Sequence, residues 1–465
     1  MLNQNKKHIH FVGVGGAGMS GLASILLDLD YKISGSDLKV SKITKRLEEK
    51  GATIFYQHHP DNIRGANLVV ISTAISSDNL EVQAAKKQKI RVIRRAEMLA
   101  RLVEGKKLIA ISGTHGKTTT TSMISLILEK AGLDPLIIVG GEVNNLGGNA
   151  KIGRGNYAIA EADESDGSFL KLNPYLAVIT NIEDDHLDYY GNMENVYRDF
   201  NQFLNKISDN GFAVLCKDCK NVCELIKNCR KKIITYGLDS DADLVAKEVE
   251  FKVLSSTSQV YWRKKKLGKL YLNLSGYHNI SNALASIAVS LELGIDFEKI
   301  VHILQTFSGV ERRMQIIAQL DNEIMLMDDY AHHPTEIKVT LKAIKEGWKN
   351  RRIIVIFQPH RYTRTKILAH KFGEVFEDAD QVIINDIYSA NELPISGISG
   401  KTIFDQVVRA NGHSCLRYIP DQDSTLEYLT TVIQSGDIIV TMGAGDVWKI
   451  GRELLNKLEN KFSVH

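Results

Sequence analysis

Four constellations in this chain have residue types and spacings that could do chemistry. The first is Gly113-Thr114-His115-Gly116-Lys117-Thr118-Thr119. Glycines let backbone N–H groups turn inward, an ammonium group follows, and a hydroxyl sits beside it. Such a set cradles phosphates. The N–H groups and a helix N-terminus supply partial positive charge, Lys117 reaches the terminal phosphates, and the Thr118 hydroxyl ligates Mg²⁺. One position departs from G-x-x-x-x-G-K-[ST], because Ile111 stands where the first glycine belongs.

The second constellation is acidic. Glu161-Ala162-Asp163-Glu164-Ser165-Asp166 and Asn181-Ile182-Glu183-Asp184-Asp185-His186 each follow a short apolar run. An acid at the carboxyl end of a strand beside a phosphate loop is where Mg²⁺ is held. His186, hemmed in by acids, suits a cation ligand, although such a run also reads as a solvated loop. The third is Gly13-Val14-Gly15-Gly16-Ala17-Gly18, which fits G-x-G-x-x-G, with Ser36 and Asp37 about two dozen residues on. It predicts diphosphate on a helix N-terminus and an acid on a ribose, and does not choose between NAD and another nucleotide diphosphate. The fourth is cationic. His360, Arg361 and Arg364 follow an apolar run and fit a carboxylate or phosphate group.

Apolar runs and helical spacings supply the elements that must position these groups. Leu108 to Ile111 reads as a strand, and Thr119 to Lys130 carries Met123, Ile124, Ile127 and Leu128 at helical spacing. His8 to Val12, Tyr31 to Ser34 and Ala66 to Ser72 read as strands alternating with helices, and the polar break at Glu104-Gly105-Lys106-Lys107 marks a boundary. Tyr157 to Ala160 and Ala177 to Thr180 are strands that deliver the two acidic segments. Residues 243 to 274 hold short alternating runs, which predict antiparallel strands with a solvated hairpin tip at Arg263 to Lys266. A helix opens at His278, Asn279 and Asn282, side chains that can serve as caps. Ile324 to Met327, Ile353 to Phe357 and Asp437 to Met442 belong to a last doubly wound sheet. The fold class is therefore α/β, with largely parallel sheets and flanking helices.

Composition narrows the class further. The 465 residues allow about three domains, and a net charge of +3 suggests no nucleic-acid partner. No apolar run approaches the roughly 20 residues that span a bilayer, so no membrane is expected. Residues 1–7 lead straight into a strand, without an export signal, and the expected compartment is the cytoplasm. The five cysteines do not suggest a disulfide set. Cys216, Cys219, Cys223 and Cys229 cluster without a paired C-x-x-C spacing, so free thiols are expected rather than a zinc site.

Eight segments in order resemble the Mur ligase family over almost the whole chain: GVGGAGMSGLA, SGTHGKTTTT, EADESDGSF, NIEDDHLDYYG, GYHNISNALA, GVERRMQ, DDYAHHPTEI and FQPHRYTRT. The resemblance implies three domains: a Rossmann-like UDP-sugar-binding domain over 1–104, a P-loop ATPase domain over 105–311, and a Rossmann-like amino-acid-binding domain over 312–465. It implies an ATP-dependent, Mg²⁺-requiring ligase acting on UDP-N-acetylmuramate and L-alanine, as a monomer or homodimer. A ligase for murein peptides is the runner-up, set second because of the HRYTRT segment at His360 to Thr365. The N-terminal glycines, with Ser36 and Asp37, then serve a UDP-sugar rather than NAD. A dehydrogenase would leave the phosphate loop and EADESD unexplained, and a non-catalytic nucleotide-binding module would have no need of Lys117, Glu161 and His186 together.

By the same resemblance, Gly113 to Thr119 hold ATP, and Thr118, Glu161 and His186 take metal. His278, Asn279 and Asn282 lie near the nucleotide, and Arg312 or Arg313 reaches the γ-phosphate. Tyr330, His332, His360, Arg361 and Arg364 serve the alanine side, with His332 and His360 as candidate bases. Several sister ligases carry a carbamylated lysine on the helix after the NIEDDH-like segment. Asn195 to Asn205 contains no lysine, so none is carried over.

Overall fold

Apolar runs rich in β-branched residues, such as Ile353–Phe357 and Ile438–Met442, make central strands here, and the alternation of their side chains decides what each face buries. In Ile353–Phe357 all five residues are buried, as they are in Ile438–Met442 and Met325–Asp329. These strands need cover on both faces, which only crossover helices provide. The computed structural model describes residues 7–143, 145, 147–238, 241–321, 323–410 and 415–462, so residues 1–6 of the segment read for an export signal lie outside them.

The chain forms two compact units. One comprises Met1–Val249, Thr257–Leu272 and Asn279–Ser308, the other Glu250–Ser256, Asn273–His278 and Gly309–His465. The first unit carries a five-stranded sheet in the order Thr53–Phe55, Lys32–Ser36, His8–Val12, Leu68–Ile71, Arg91–Arg94. Its four pairings are parallel. The order reverses at His8–Val12, so the loop at Gly13 leaves the carboxyl end of a strand at a switch point.

A ten-stranded sheet lies mainly in the same unit. Its order is Lys265–Leu272, Ser255–Trp262, Leu244–Lys252, Lys232–Gly237, Phe212–Cys216, Leu176–Ile179, Lys107–Ser112, Tyr157–Glu161, Leu136–Val143, Gly148–Lys151. The strand before the phosphate loop, Lys107–Ser112, therefore sits between the two strands that deliver the acidic segments, and pairs parallel with each. Between Ser255–Trp262 and Lys265–Leu272 only Arg263 and Lys264 remain, both at positive φ. A two-residue connection can join only antiparallel strands, and this tip is the hairpin predicted there.

One buried core runs through both sheets, from Ile9 and Leu22 to Ala110, Ile138 and Phe200. The helix Ala17–Asp28 packs on Leu136–Val143 as well as on its own sheet. Asn149 pins the helix start, donating to the Ala17 carbonyl at 2.6 Å and to Ser20 Oγ at 3.1 Å. The second unit is built on six strands in the order Gln315–Gln319, Met325–Asp329, Ile438–Met442, Ile353–Phe357, Gln381–Ile384, Leu416–Tyr418, with Gln315–Gln319 antiparallel at the edge and the rest parallel. Ile353, Val355 and Phe357 enter one buried layer and Ile354 and Ile356 the other. Each fully buried side chain of this size stabilises the unit by about 1.5–3 kcal/mol.

Candidate active site

Lys107–Ser112 ends at Gly113, and the helix Lys117–Lys130 begins four residues later with Gly116 as its N-cap. The turn between them tolerates no side chain at its glycines. Gly113 has φ +128, and a Cβ there would lie 2.2 Å from Thr180 Oγ1. Gly116 has φ +81, and a Cβ there would lie 2.5 Å from Asn282 Oδ1. The Asn282 oxygen also accepts from Thr120 Oγ1 at 3.2 Å, which places Asn282 on the loop, and Asn279 is buried one turn earlier.

The segment after Leu176–Ile179 clamps the loop. Thr114 N–H donates to the Asn181 carbonyl at 3.1 Å, and His115 N–H to Asn181 Oδ1 at 2.8 Å. Thr180 Oγ1 donates to the His115 carbonyl at 2.6 Å, and Glu183 N–H to Thr114 Oγ1 at 2.9 Å. The backbone donors of Thr114 and His115 are thus occupied by Asn181. The N–H groups left for an anion are those of the first helical turn, through Thr118 and Thr119, which lack intrahelical partners. That turn contains no acid.

Lys117 lies in the middle of this arrangement. Its Nζ donates to the Gly113 carbonyl at 2.6 Å, the Thr114 carbonyl at 3.2 Å and Glu164 Oε1 at 2.7 Å. Burial pulls its proton affinity down, but Glu164, Asp163 and Glu161 more than offset this and hold the ammonium above its ordinary pKa. Glu164 is buried, and its Oε2 has no hydrogen-bond partner. Glu161 ends Tyr157–Glu161. Burial raises its pKa, while the Gly140 N–H, Lys117 and a hydrogen bond from Thr118 pull it down. The Gly140 donor is 2.8 Å from Oε1, and a Cβ on Gly140 would lie 2.5 Å from Oε2. His186 stands at φ 58 before the short helix Leu187–Tyr190, and its Nε2 lies 3.5 Å from Asp185 Oδ2. Thr118 and Glu161 are brought together, whereas His186 is paired with its own neighbour.

The N-terminal glycines form a second such turn. Gly13, at φ +78, and Val14 both donate to the Ser36 carbonyl, at 2.8 and 3.0 Å. Gly15 N–H donates to Asp37 Oδ2 at 2.9 Å, and a Cβ on Gly15 would meet that oxygen at 2.7 Å. The Asp37 carboxylate therefore holds the loop in the free chain. Gly16 is the N-cap of Ala17–Asp28, which has no side-chain cap and no acid in its first turn. Gly18, in that turn, packs under the Arg95 side chain. Ser36 Oγ donates to Glu81 Oε2 at 2.6 Å. Glu81 is fully buried, with Asn62 Nδ2 2.6 Å from Oε1 and His58 Nδ1 2.9 Å from Oε2. Burial alone would raise its pKa, but these donors and His10 hold it down at about 2.

In the second unit, the fourth constellation gathers at the carboxyl ends of Met325–Asp329 and Ile353–Phe357. Tyr330 and His332 meet edge-on at 5.5 Å between centroids, His332 and His360 lie 5.9 Å apart, and His360 stacks on Tyr388 at 5.7 Å. Burial lowers the His360 pKa to about 2, helped by His332, Arg364, Arg361 and Arg312. The imidazole is therefore neutral, and its Nδ1 lies 3.1 Å from Arg364 Nη1. An imidazole so weakly basic is poorly suited to take a proton from an ammonium, which favours His332 over His360 of the two bases expected. His332 Nδ1 lies 3.0 Å from the Tyr330 carbonyl and 3.4 Å from Glu336 Oε2. Arg361 is held at φ 68, and its Nε is buried with no hydrogen-bond partner. A non-glycine residue in that region is strained, and strain of this kind collects at ligand sites.

The two arginines of GVERRMQ divide. Arg312 Nε donates to Asp328 Oδ2 at 2.8 Å, and its other nitrogens donate to the Gly443 and Gly445 carbonyls at 2.6 and 3.2 Å. Its guanidinium is thus occupied inside its own unit. Arg313 lies 3.5 Å from Glu336 Oε1, and both guanidinium carbons stand about 5 Å from the Tyr330 ring, at 5.1 and 5.2 Å. His278 faces Arg313 and Glu336, and burial followed by Arg313 lowers its pKa to about 4. All five cysteines are free thiols, and among the described residues none joins a group able to hold a metal ion. Sequence reasoning missed Gly140, Thr180, Asn181, Glu164, Glu81 and Tyr388 as site residues. Of these Glu164 and Asn181 carried a signal, each as part of an acidic segment.

Known proteins match this arrangement along the whole chain. Three family models fit in order: "Mur ligase family, catalytic domain" over residues 8–107, "Mur ligase middle domain" over 111–290, and "Mur ligase, glutamate ligase domain" over 312–445. The chain is 49% identical over 460 residues to a UDP-N-acetylmuramate–L-alanine ligase of Pelotomaculum thermopropionicum, covering 99% of each. It is 48% identical over 453 residues to that of Syntrophotalea carbinolica, covering 97% of this chain and 98% of the relative. Among solved structures it is similar to the UDP-N-acetylmuramate-alanine ligase of Thermotoga maritima, with TM-score 0.85, 28% identity and coverage of 98% and 99%. It is also similar to a murein peptide ligase of Psychrobacter arcticus, with TM-score 0.75, 25% identity and coverage of 98% and 99%.

Proposed function

The chain belongs to the Mur ligase family, and from that premise we propose that it joins L-alanine to the lactyl carboxylate of UDP-N-acetylmuramate at the expense of ATP. The product is a peptidoglycan precursor, released with ADP and phosphate. The observation that carries this reading is identity of 49% to such a ligase over 99% of both chains. The Lys117 cradle supplies the matching chemistry. The runner-up, a murein peptide ligase, is favoured less, because its structural likeness is weaker, with a TM-score of 0.75 against 0.85.

A carboxylate does not acylate an amine at neutral pH, because resonance protects its carbonyl and oxide is no leaving group. Phosphorylation removes both obstacles. A carboxylate oxygen attacks the γ-phosphorus, the bond to ADP breaks, and an acyl phosphate forms. The alanine amine then attacks the acyl carbon, and phosphate leaves from the tetrahedral intermediate as a base takes the amine proton. Charge gathers on the phosphoryl oxygens in the first step, where Lys117 and the N–H groups of the first helical turn meet it. Lys117 exchanges Glu164 for those oxygens when ATP enters. Glu161 and the Thr118 hydroxyl fit Mg²⁺, since they touch each other and a cation would offset the burial that raises the Glu161 pKa. Bound there, the ion neutralises phosphate charge. His186 is proposed as a further ligand. On the alanine side, Arg361 and Arg364 suit the carboxylate, and His332, beside Glu336, is the favoured candidate base.

We assign the UDP-sugar to 1–104, ATP to 105–311 and L-alanine to 312–465, and place the enzyme in the cytoplasm as a monomer or homodimer. Among the described residues no helix is long and apolar enough to cross a membrane. The test is phosphate release from ATP with UDP-N-acetylmuramate and Mg²⁺, scanned across amino acids and the murein tripeptide. L-Alanine should give the fastest release. Release with the tripeptide and none with L-alanine would establish the runner-up instead, and no release with any acceptor would overturn the ligase reading.

A further inference from the structure

Arg361 is the N-cap of Tyr362–Leu368, the helix that carries Arg364, yet its side chain makes no capping hydrogen bond. The first N–H groups of a helix have no intrahelical partner, and an N-cap side chain usually takes one of them. Here the cap comes from a residue 29 positions further along the chain than the one it serves. Glu392 Oε2 accepts from the Thr363 N–H at 3.0 Å, and Glu392 Oε1 accepts from Thr363 Oγ1 at 2.7 Å. Both oxygens of one carboxylate thus hold the second residue of the helix. The segment that delivers Glu392 is fastened a few residues earlier to the same stretch. Tyr388 N–H donates to the Pro359 carbonyl and Arg361 N–H to the Tyr388 carbonyl, each at 2.9 Å. The Tyr388 ring lies nearly parallel to His360, with 9° between their planes, and a Cβ on Gly445 would lie 2.6 Å from Tyr388 Cγ. Between the two fastenings Ala390 and Asn391 stand at φ 49 and φ 70, and Arg361 stands at φ 68 across from them. Strained residues of this kind persist only where the surroundings over-determine them. What this framework holds in place includes Arg361 Nε, buried without a hydrogen-bond partner.

We propose that Glu392 is a positioning residue for the amino-acid substrate: by capping Tyr362–Leu368 through Thr363, it fixes the directions in which Arg361 and Arg364 meet the substrate carboxylate. The proposal rests on the reading that these two arginines take L-alanine. A guanidinium binds a carboxylate through two parallel hydrogen bonds, a geometry that tolerates little rotation. The carboxylate in turn sets where the amine stands for its attack on the acyl carbon. With only seven residues, the helix has little else to hold its first turn, and an uncapped start would let both guanidinium groups turn away from that geometry. Glu392 acts through Thr363 and does not itself meet the substrate.

The experiment is steady-state phosphate release by the full chain with UDP-N-acetylmuramate and Mg²⁺, varying L-alanine and ATP in turn. Wild type, Glu392→Gln, Glu392→Ala, Thr363→Val, the double variant Glu392→Ala/Thr363→Val and Arg364→Ala are compared, with melting curves to verify folding. Glu392→Ala should raise the KM for L-alanine about tenfold, the size of one lost cap, and leave the KM for ATP nearly unchanged. Glu392→Gln should fall between, because its amide oxygen still accepts from the Thr363 N–H while the charge is gone. Thr363→Val loses only the hydroxyl bond and should have the smaller effect, and the double variant should be no worse than Glu392→Ala, because both changes remove one contact. If Glu392→Ala does not fold, the same split between the two KM values in Glu392→Gln and Thr363→Val decides. An unchanged KM for L-alanine, or equal rises for L-alanine and ATP, would overturn the proposal and leave Glu392 a structural anchor that moves only the melting midpoint. Arg364→Ala tells the two failures apart. If it raises the alanine KM and Glu392→Ala does not, this proposal alone falls; if neither does, the placement of L-alanine falls with it.

Discussion

Replacing Lys117 by methionine removes one ammonium and keeps most of the side-chain volume, and two separate losses should follow. The first is in the reaction. Lys117 is the cation already seated in the loop, 2.6 Å from the Gly113 carbonyl. Losing one preorganised contact to a charged transition state lowers turnover by about 10²–10³, or about 2.7–4 kcal/mol. The second is in the fold. Glu164 is only 4% exposed in its side chain, with Lys117 2.7 Å away and itself 17% exposed. Breaking a buried pair by removing one partner costs about 3–5 kcal/mol, and the partial exposure of Lys117 argues for about 3. At about 2 °C per kcal/mol for a unit of this size, the melting midpoint should fall by roughly 6 °C. The double variant Lys117→Met/Glu164→Gln separates the two, because a neutral amide does not need the ammonium. Its midpoint should return to within about 2 °C of wild type, while phosphate release stays at the level of the single variant. Turnover within tenfold of wild type in Lys117→Met, at saturating ATP, would refute the placement of Lys117 at the transferring group. Recovery of turnover along with stability in the double variant would show that the loss was structural.

In the second unit, Arg364→Lys should raise the KM for L-alanine and Arg364→Ala should raise it further, with the KM for ATP little changed, because lysine keeps the charge and loses the planar fork. Steady-state kinetics with each substrate varied in turn decide this, and an unchanged alanine KM with a lower melting temperature would make Arg364 merely a support for His360. Glu81, held at about 2 against an ordinary 4.5, has its pKa lowered by folding, so its contribution is complete above 4.5 and lost as pH falls from there toward 2. The shift corresponds to about 3 kcal/mol. Urea midpoints measured from pH 6 to 3 should therefore fall less steeply in Glu81→Gln than in wild type, and equal slopes would contradict the assignment. Gly15→Val drives a branched side chain against Asp37 Oδ2, 2.7 Å from the Cβ position. UDP-N-acetylmuramate binding should weaken while the ATP analogue still binds, and equal loss of both in a folded protein would argue against separate sites.

The phosphate loop was legible because its chemistry is local: Gly116, Lys117 and Thr118 are consecutive, and the flanking strand and helix announce themselves by period. The sheet class was legible for the same reason, since apolar runs such as Ile353 to Phe357 can only be buried on both faces. What surrounds Lys117 was less so. Gly140 reaches Glu161, and Thr180 and Asn181 reach the loop, only because of the sheet order that brings Leu176–Ile179, Lys107–Ser112, Tyr157–Glu161 and Leu136–Val143 side by side. No spacing along the chain encodes that order. Arg312 and Arg313 are adjacent and chemically identical, and only the packing, around Asp328 and the Gly443 and Gly445 carbonyls for one and beside Glu336 for the other, tells what each guanidinium pairs with. His360 looked like a base by residue type. Its basicity is set by burial and by the arginines around it, which are tertiary properties.

The clamp between Thr180–Glu183 and the loop has a further consequence, in the timing of order. Thr114 and His115 are held by Asn181 before any nucleotide arrives, so the chain entropy of shaping the turn, about 1–2 kcal/mol per residue, is lost during folding and not on binding. The two amides should accordingly exchange with deuterated water only through larger openings of the sheet, and as slowly without ATP as with it. The donors at the start of Lys117–Lys130, which have no such partner, should slow only when phosphate is present. Removing the Asn181 side chain would shift part of that ordering from folding to binding, and nucleotide association would then begin with a search for the loop's shape.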